Sequence, residues 1–327
     1  MIWFWLGFFA LIALLLFFDL GVVHKRAQEP TLRSAALWTL FWVSLGLAFS
    51  GVVYLMYENN WAGVHLKGCP PGHADGVDAT ITYVSAYLLE QALSIDNIFV
   101  MSLLFRSFRM PLKYQHRVLF WGILGAVVFR VLMLGGGAFL ASRFDFVFYI
   151  FGAYLAWQGL KLFKGDDDDG GEGMPDNWAV RTLRKYFRVA EGDHGGKFSI
   201  MVEGKRWLTT VAVCLIVIEL TDVIFAMDSI PAVLSVSQDT FIMITSNIFA
   251  VMGLRSLYFV LAGAMAKFKY LKIALAVLLI FIGLKMILHS WIMIPHWISL
   301  ICIAGIIGVG VAASLLISEP APASPSP

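Results

Sequence analysis

The chain has 327 residues, 59% of them hydrophobic and 14% charged, with a net charge of +2. So much apolar residue and so little charge exclude an ordinary soluble domain and describe a chain that crosses a bilayer several times. The three cysteines, Cys69, Cys214 and Cys302, suggest no disulfide framework, because the last two lie inside apolar runs and the first in a loop.

The N-terminus, MIWFWLGFF, has no basic stretch before its apolar run and no small-residue cleavage site after it. It reads as a retained helix, not a signal peptide. Nine apolar segments reach spanning length, roughly 20 residues: 2–22, 34–56, 80–105, 117–141, 146–164, 208–236, 240–266, 271–290 and 293–317. The expected fold is an all-α polytopic membrane protein of about nine transmembrane helices. Trp3, Trp5, Trp38, Trp42 and Trp291 are expected to anchor helices at the membrane interface.

The long loop between the fifth and sixth segments has three parts. Gly165–Gly173, with Asp166–Asp169, reads as a solvated acidic linker in preference to a metal collector. Trp178–Val189 interleaves aromatic and basic residues and predicts an amphipathic helix on the inner leaflet. Lys197–Trp207 predicts a β-hairpin turning at Glu203-Gly204. The tail, Pro320–Pro327, is rich in Pro, Ala and Ser and is expected to be disordered.

Basic residues fall on alternate loops. Loops 24–33, 106–117, 164–207 and 267–272 carry eighteen of them, whereas the opposite loops carry only Lys67 and Arg143. The positive-inside rule then places the N-terminus outside and the C-terminus inside.

Two of the apolar segments carry acids in matching order. Glu90-Gln-Ala-Leu-Ser-Ile-Asp96-Asn97-Ile98 aligns with Asp222 to Ile230 at a shift of 132, so that Glu90 matches Asp222, Asp96 matches Asp228 and Asn97 matches Ser229. Glu219 precedes the second set. Phe129-Arg130 resembles Leu254-Arg255, and Gly159-Leu160-Lys161 recurs as Gly283-Leu284-Lys285. Helices 3–5 therefore match helices 6–8. A three-span unit inserts upside down when duplicated, so an inverted 3+3 repeat is expected, with a mid-membrane site at the repeat interface. The segmentation is 1–79 (two peripheral helices and an outer loop), 80–164 (first repeat), 165–207 (cytoplasmic loop), 208–290 (second repeat) and 291–327 (last helix and tail).

A carboxylate at mid-membrane costs roughly 2.5 kcal/mol or more, so five of them call for a function. At about 100° per residue, Asp96 and Asp228 lie off the face of the first acid of each pair. The helices must then unwind locally, or the acids must flank the site, and Pro231 frees a helical carbonyl just past Asp228. Glu90, Asp96, Asn97, Glu219, Asp222, Asp228 and Ser229 form an all-oxygen set, free of His and Cys, which suits Mn²⁺, Mg²⁺ or Ca²⁺. Thr245, Ser246 and Asn247 are further oxygen candidates. The plainer alternative pairs the acids with Arg130 and Arg255 as buried ion pairs, yet two arginines cannot neutralise five acids. Lys161 is expected to snorkel to the interface, as is Lys285.

At Glu90–Val100 and Glu219–Ala232 the chain resembles the TerC family, most closely its Alx branch. The stretches Thr245–Phe259 and Phe148–Leu155 extend the resemblance, which runs from the first helix to the ninth. It implies Mn²⁺ export across the bacterial inner membrane, with those seven residues at or near the metal. The partners implied are the lipid bilayer, Mn²⁺ and, for antiport, H⁺. No resident cofactor and no nucleic-acid partner are expected.

The alternative is a non-transporting membrane factor that assists metal supply or the insertion of secreted and membrane proteins. An enzyme is not expected: His-Glu-x-x-His and Gly-x-Gly-Asp are both missing, and so is the phosphate-binding Gly-x-x-x-x-Gly-Lys-Ser/Thr loop.

Overall fold

The computed structural model describes residues 2–21, 31–61, 76–144, 146–164, 189–190, 192, 194–202, 204–262, 269–288 and 295–316. Its elements run α1 (Ile2–Gly21), α2 (Leu32–Glu58), α3 (Gly76–Ser107), α4 (Leu112–Arg143), α5 (Phe146–Lys164), β1 (Val189–Ala190), β2 (Ser199–Val202), β3 (Lys205–Thr209), α6 (Thr210–Val236), α7 (Thr240–Met252), α8 (Leu254–Ala262), α9 (Lys269–Leu288) and α10 (His296–Leu316). The chain is an all-α polytopic membrane protein. Six of these helices are long and apolar enough to span, and α7 with α8 makes a seventh span bent by 44°. The acidic run, the tail and the expected amphipathic helix up to Arg188 lie outside the described residues.

The sequence predicts one helix over 240–266, and the structure corrects this: it breaks at Gly253, between α7 and α8. Trp42, expected at the interface, is instead buried, its Cβ set against Gly253 at the break. No unwinding occurs at the acids. α3 runs unbroken through Asp96, and α6 runs through Pro231. Of the two expectations, local unwinding is thus excluded, and the acids lie on intact helices.

α7 is buried along its whole length from Phe241 to Met252 and forms the centre of the fold. Its exposed amides are met by Asp239, whose carboxylate accepts from the N–H groups of Phe241 (2.8 Å) and Ile242 (3.3 Å). Around it lie α3 and α4, and α6 packs on both of them. α1 and α2 cover α7 through an aromatic cluster of Phe8, Phe49, Phe241 and Phe249. α5 and α9 form a separate pair, closed by α10 and joined to α3 and α6 through Leu89, Leu93, Leu155, Ala232, Leu278 and Ile282.

The α5–α9 contact is made by glycine. A Cβ at Gly152 would lie 2.8 Å from the Gly283 carbonyl oxygen, and one at Gly159 would lie 2.7 Å from that of Ala276. Contacts that climb one helix while descending the other make the pair antiparallel. α4 and α6 are parallel by the same reasoning, since Gly122 meets Ile218 and Gly137 meets Ile230. Small residues let membrane helices approach this closely, where dispersion replaces the hydrophobic effect.

Before α6 lies a three-stranded sheet of order β1-β3-β2, with β1 parallel and β2 antiparallel to β3. The β2–β3 hairpin is the one expected from Lys197–Trp207, with Gly204 at φ 72° in its turn. The sheet sits on the start of α4. The Arg117 guanidinium covers the Phe198 ring at 4.8 Å, and Gly196, at φ 72°, faces Tyr114 where a Cβ would come within 2.7 Å. β3 then passes directly into α6, whose N-cap Thr209 also bonds the Lys197 carbonyl (2.5 Å).

Candidate metal centre

Arg130 of α4, 1% exposed, is the hub of the buried polar network. Its Nη1 pairs with Glu90 of α3 and donates to Asn247 Oδ1 of α7 at 3.4 Å. Its Nη2 meets Asp222 Oδ1 of α6 at 3.2 Å, and Nε donates to Asp222 Oδ2 at 3.4 Å. The Asn97 amide, oriented by its surroundings, accepts from Nη2 at 3.1 Å and donates to the Leu93 carbonyl at 3.3 Å. Four helices thus meet on one guanidinium, which bridges the two acids matched by the internal repeat. Buried charges need such partners, because removing one leaves the other stranded.

Asp228, also on α6, is held differently. Gln158 Nε2 of α5 donates to its Oδ1 at 3.2 Å and to the Tyr154 hydroxyl at 3.0 Å, and Tyr154 bonds Asp228 in turn. Both partners are neutral. Asp228 faces a crevice of about 30 Å³, lined also by Asn97, Ser229, Leu93, Phe225 and Leu279, large enough for one water-sized particle. Ser229 Oγ is buried there without a hydrogen-bond partner among the described residues. Asn97 belongs to both places, touching Arg130 and lining the crevice.

The remaining sequence candidates are distributed around these two groups. Glu219 lies against α4 at Gly125, one turn before Asp222. Asp96 is placed on α3, one residue before Asn97, with its side chain outside the described set. Of the three candidates on α7, Thr245, Ser246 and Asn247, only Asn247 reaches the network. Thr245 and Ser246 bond back to the carbonyls of Phe241 (2.7 Å) and Met243 (3.2 Å). Arg255 is buried at the start of α8. Lys285, expected to snorkel, is instead 9% exposed, because α9 packs against both α5 and α10. Among the described residues no three Asp, Glu, His or Cys side chains close on a common point. Tyr154 and Gln158 escaped the sequence reading. Their signal was present: two polar groups four residues apart, on one face of an apolar helix.

A model of the integral membrane protein TerC family matches residues 75–321. The chain belongs to the TerC family. A membrane protein of Myxococcus xanthus, described as uncharacterized, is 38% identical to this TerC protein over 98% of the chain and 94% of its own length. A second, from Rickettsia bellii (strain RML369-C), is 37% identical over 95% and 97%. Alx of Escherichia coli (strain K12), whose name proposes a membrane-bound redox modulator, is 40% identical over 93% and 91%. No solved structure matches the chain.

The placement of Glu219 gives a first expected result. A Cβ on Gly125 would overlap its carboxyl group, so Gly125→Ala forces Glu219 out of its seat. The variant should still fold, with stability in detergent lower by about 1–3 kcal/mol, the usual cost of one overpacked methyl, read from thermal unfolding. Unchanged stability would show that the Glu219 carboxyl vacates this seat at no cost.

Proposed function

We propose that this TerC protein exports a divalent cation, Mn²⁺ foremost, across the bacterial inner membrane, and that the cargo binds at Asp228, Asn97 and Ser229. One observation carries the reading: Asp228 faces a crevice at the seam of the helix groups, bonded by neutral donors and beside an unpartnered Ser229 hydroxyl. A carboxylate left without a cation inside a membrane is costly unless a cation visits it. The oxygen-only surroundings favour hard or borderline ions. Glu90, Asp222, Glu219 and Asp96 supply further charge along the same path.

The packing supports the inverted repeat. α3 packs on α7, and α6, its repeat counterpart, packs on α4, the counterpart of α7 and α8. The repeat-related helices α5 and α9 are antiparallel, and α6 runs parallel to α4, the second helix of the first unit. The basic loops favour the N-terminus outside and the C-terminus inside.

Export against an inside-negative potential costs about 2.3 kcal/mol per charge per 100 mV, doubled for Mn²⁺. With no Gly-x-x-x-x-Gly-Lys-Ser/Thr loop in the sequence, Mn²⁺/H⁺ antiport is the reading that supplies the work, some of the acids carrying protons when no metal is bound. In inverted vesicles this TerC protein should take up Mn²⁺ in preference to Mg²⁺, Ca²⁺ and Zn²⁺. A proton gradient imposed at zero voltage should drive that uptake. Flux that follows only voltage and metal concentration would replace the antiporter with a uniporter, and no metal flux would favour the non-transporting factor.

The redox role in the Alx name has a narrower footing here. Of the described thiols, Cys214 is buried on α6 and Cys302 lies on α10, both unbridged.

A further inference from the structure

Building on the metal-transport reading, we propose that Arg130 is the site's own cation: its guanidinium occupies the Glu90–Asp222 pair while no metal is bound, and yields those carboxylates when metal arrives. The geometry argues for a place-holder rather than a permanent fastening. A fastening saturates its partners, whereas Arg130 leaves polar atoms of this network idle. Glu90 is fully buried, and its Oε2 has no hydrogen-bond partner among the described residues; Asn247 Nδ2 is buried and unpartnered too. The contacts to Asp222 and Asn247, at 3.2–3.4 Å, are long for charge-assisted bonds. The hold is shared among Glu90, Asn97, Asp222 and Asn247, spread over α3, α6 and α7, and is close only at Glu90.

The place-holder is also wired to the crevice. Asn97 gives its oxygen to Arg130 and lines the wall beside Asp228 and Ser229. A metal ion in the crevice competes for that same amide oxygen, and a divalent charge one residue away repels the guanidinium. Arrival of cargo thus takes one hold from the guanidinium and repels it from the others, and departure of the cargo restores them. The seam refills with positive charge at the end of each cycle without the cost of an empty, wholly anionic cavity.

Competition distinguishes this from a structural ion pair. Removing a competitor tightens metal binding; removing a fastening loosens it or leaves it unchanged. Mn²⁺ binding by purified Arg130→Gln should be tighter by about tenfold or more, since the competent state no longer has to be freed from the arginine. Mn²⁺ flux should fall at the same time, because nothing displaces the ion. In Arg130→Ala, free guanidinium ion at millimolar concentration should raise the apparent Kd for Mn²⁺ back toward the wild-type value and leave wild-type binding unmoved. This arm also serves if Arg130→Gln does not fold, because Arg130→Ala is purified with the missing cation supplied. Mn²⁺ affinity that is unchanged or weaker in a folded variant, or guanidinium without effect on Arg130→Ala, overturns the assignment. Wild-type protein that moves no Mn²⁺ in the same vesicles overturns the transport reading instead.

Discussion

Asp228→Asn is expected to abolish Mn²⁺ export while leaving the protein in the membrane. The substitution keeps size and an acceptor for Gln158, whose amide reaches Asp228 Oδ1 at 3.2 Å, so local packing survives. What goes is the charge. A unit charge pair at 4 Å is worth about 4 kcal/mol at an effective dielectric of 20, and a divalent ion doubles the attraction. Losing even half of that is about a thousandfold in affinity. Cells carrying the variant should lose protection from excess Mn²⁺, and vesicles should lose uptake, at normal expression. Asp96→Asn, the matching acid of the first repeat, is expected to do the same. Full resistance in both variants would dismiss the carboxylates as ligands.

The second large effect is on the fold. Gly283→Leu should destroy the folded protein. A Cβ at Gly283 would lie 2.6 Å from both the Ala156 nitrogen and the Gly152 carbonyl oxygen. These are backbone atoms, which cannot swing aside as a side-chain tip does. Overpacking commonly costs about 1–3 kcal/mol and rises further when the backbone must move. Gly305→Leu on α10 is the control, for a Cβ there meets nothing within 4 Å. Size-exclusion profile and thermal unfolding in detergent should separate the two, with Gly283→Leu aggregated and Gly305→Leu near wild type. If both behave alike, the α5–α9 contact is not what holds the two halves together.

The sequence made the helices legible because lipid enforces a simple rule: long apolar runs must be helical. Eight of the nine apolar segments each contain one helix among the described residues and the segment 240–266 contains two, and the duplicated acids mark α3 and α6. The break at Gly253 was hidden because Met252 and Leu254 flank it with unbroken hydrophobicity. Trp42 and Lys285 were misplaced for a related reason. Composition tells how far a residue is from a segment end, not which neighbour covers it. Pro231 pointed to a disrupted helix, but α6 continues through it. The pairing of Arg130 with Glu90 and Asp222 stood among the sequence's alternatives. The seat of Asp228 on Tyr154 and Gln158 did not, since it depends on which face α5 turns toward α6.

The small sheet has a mechanical meaning. It holds α4 through Tyr114 and Arg117, and it continues without a joint from β3 into α6. Those two parallel helices bear Arg130 and most of the acids. Stapled together at their starting ends, they form a stator whose spacing is fixed on that side of the membrane. The α5–α9 pair, locked at its glycines, closes the Asp228 crevice through Leu162, Leu275 and Leu279. The hairpin thus sets the gauge of the frame that carries Arg130 on one rail and Asp228 on the other.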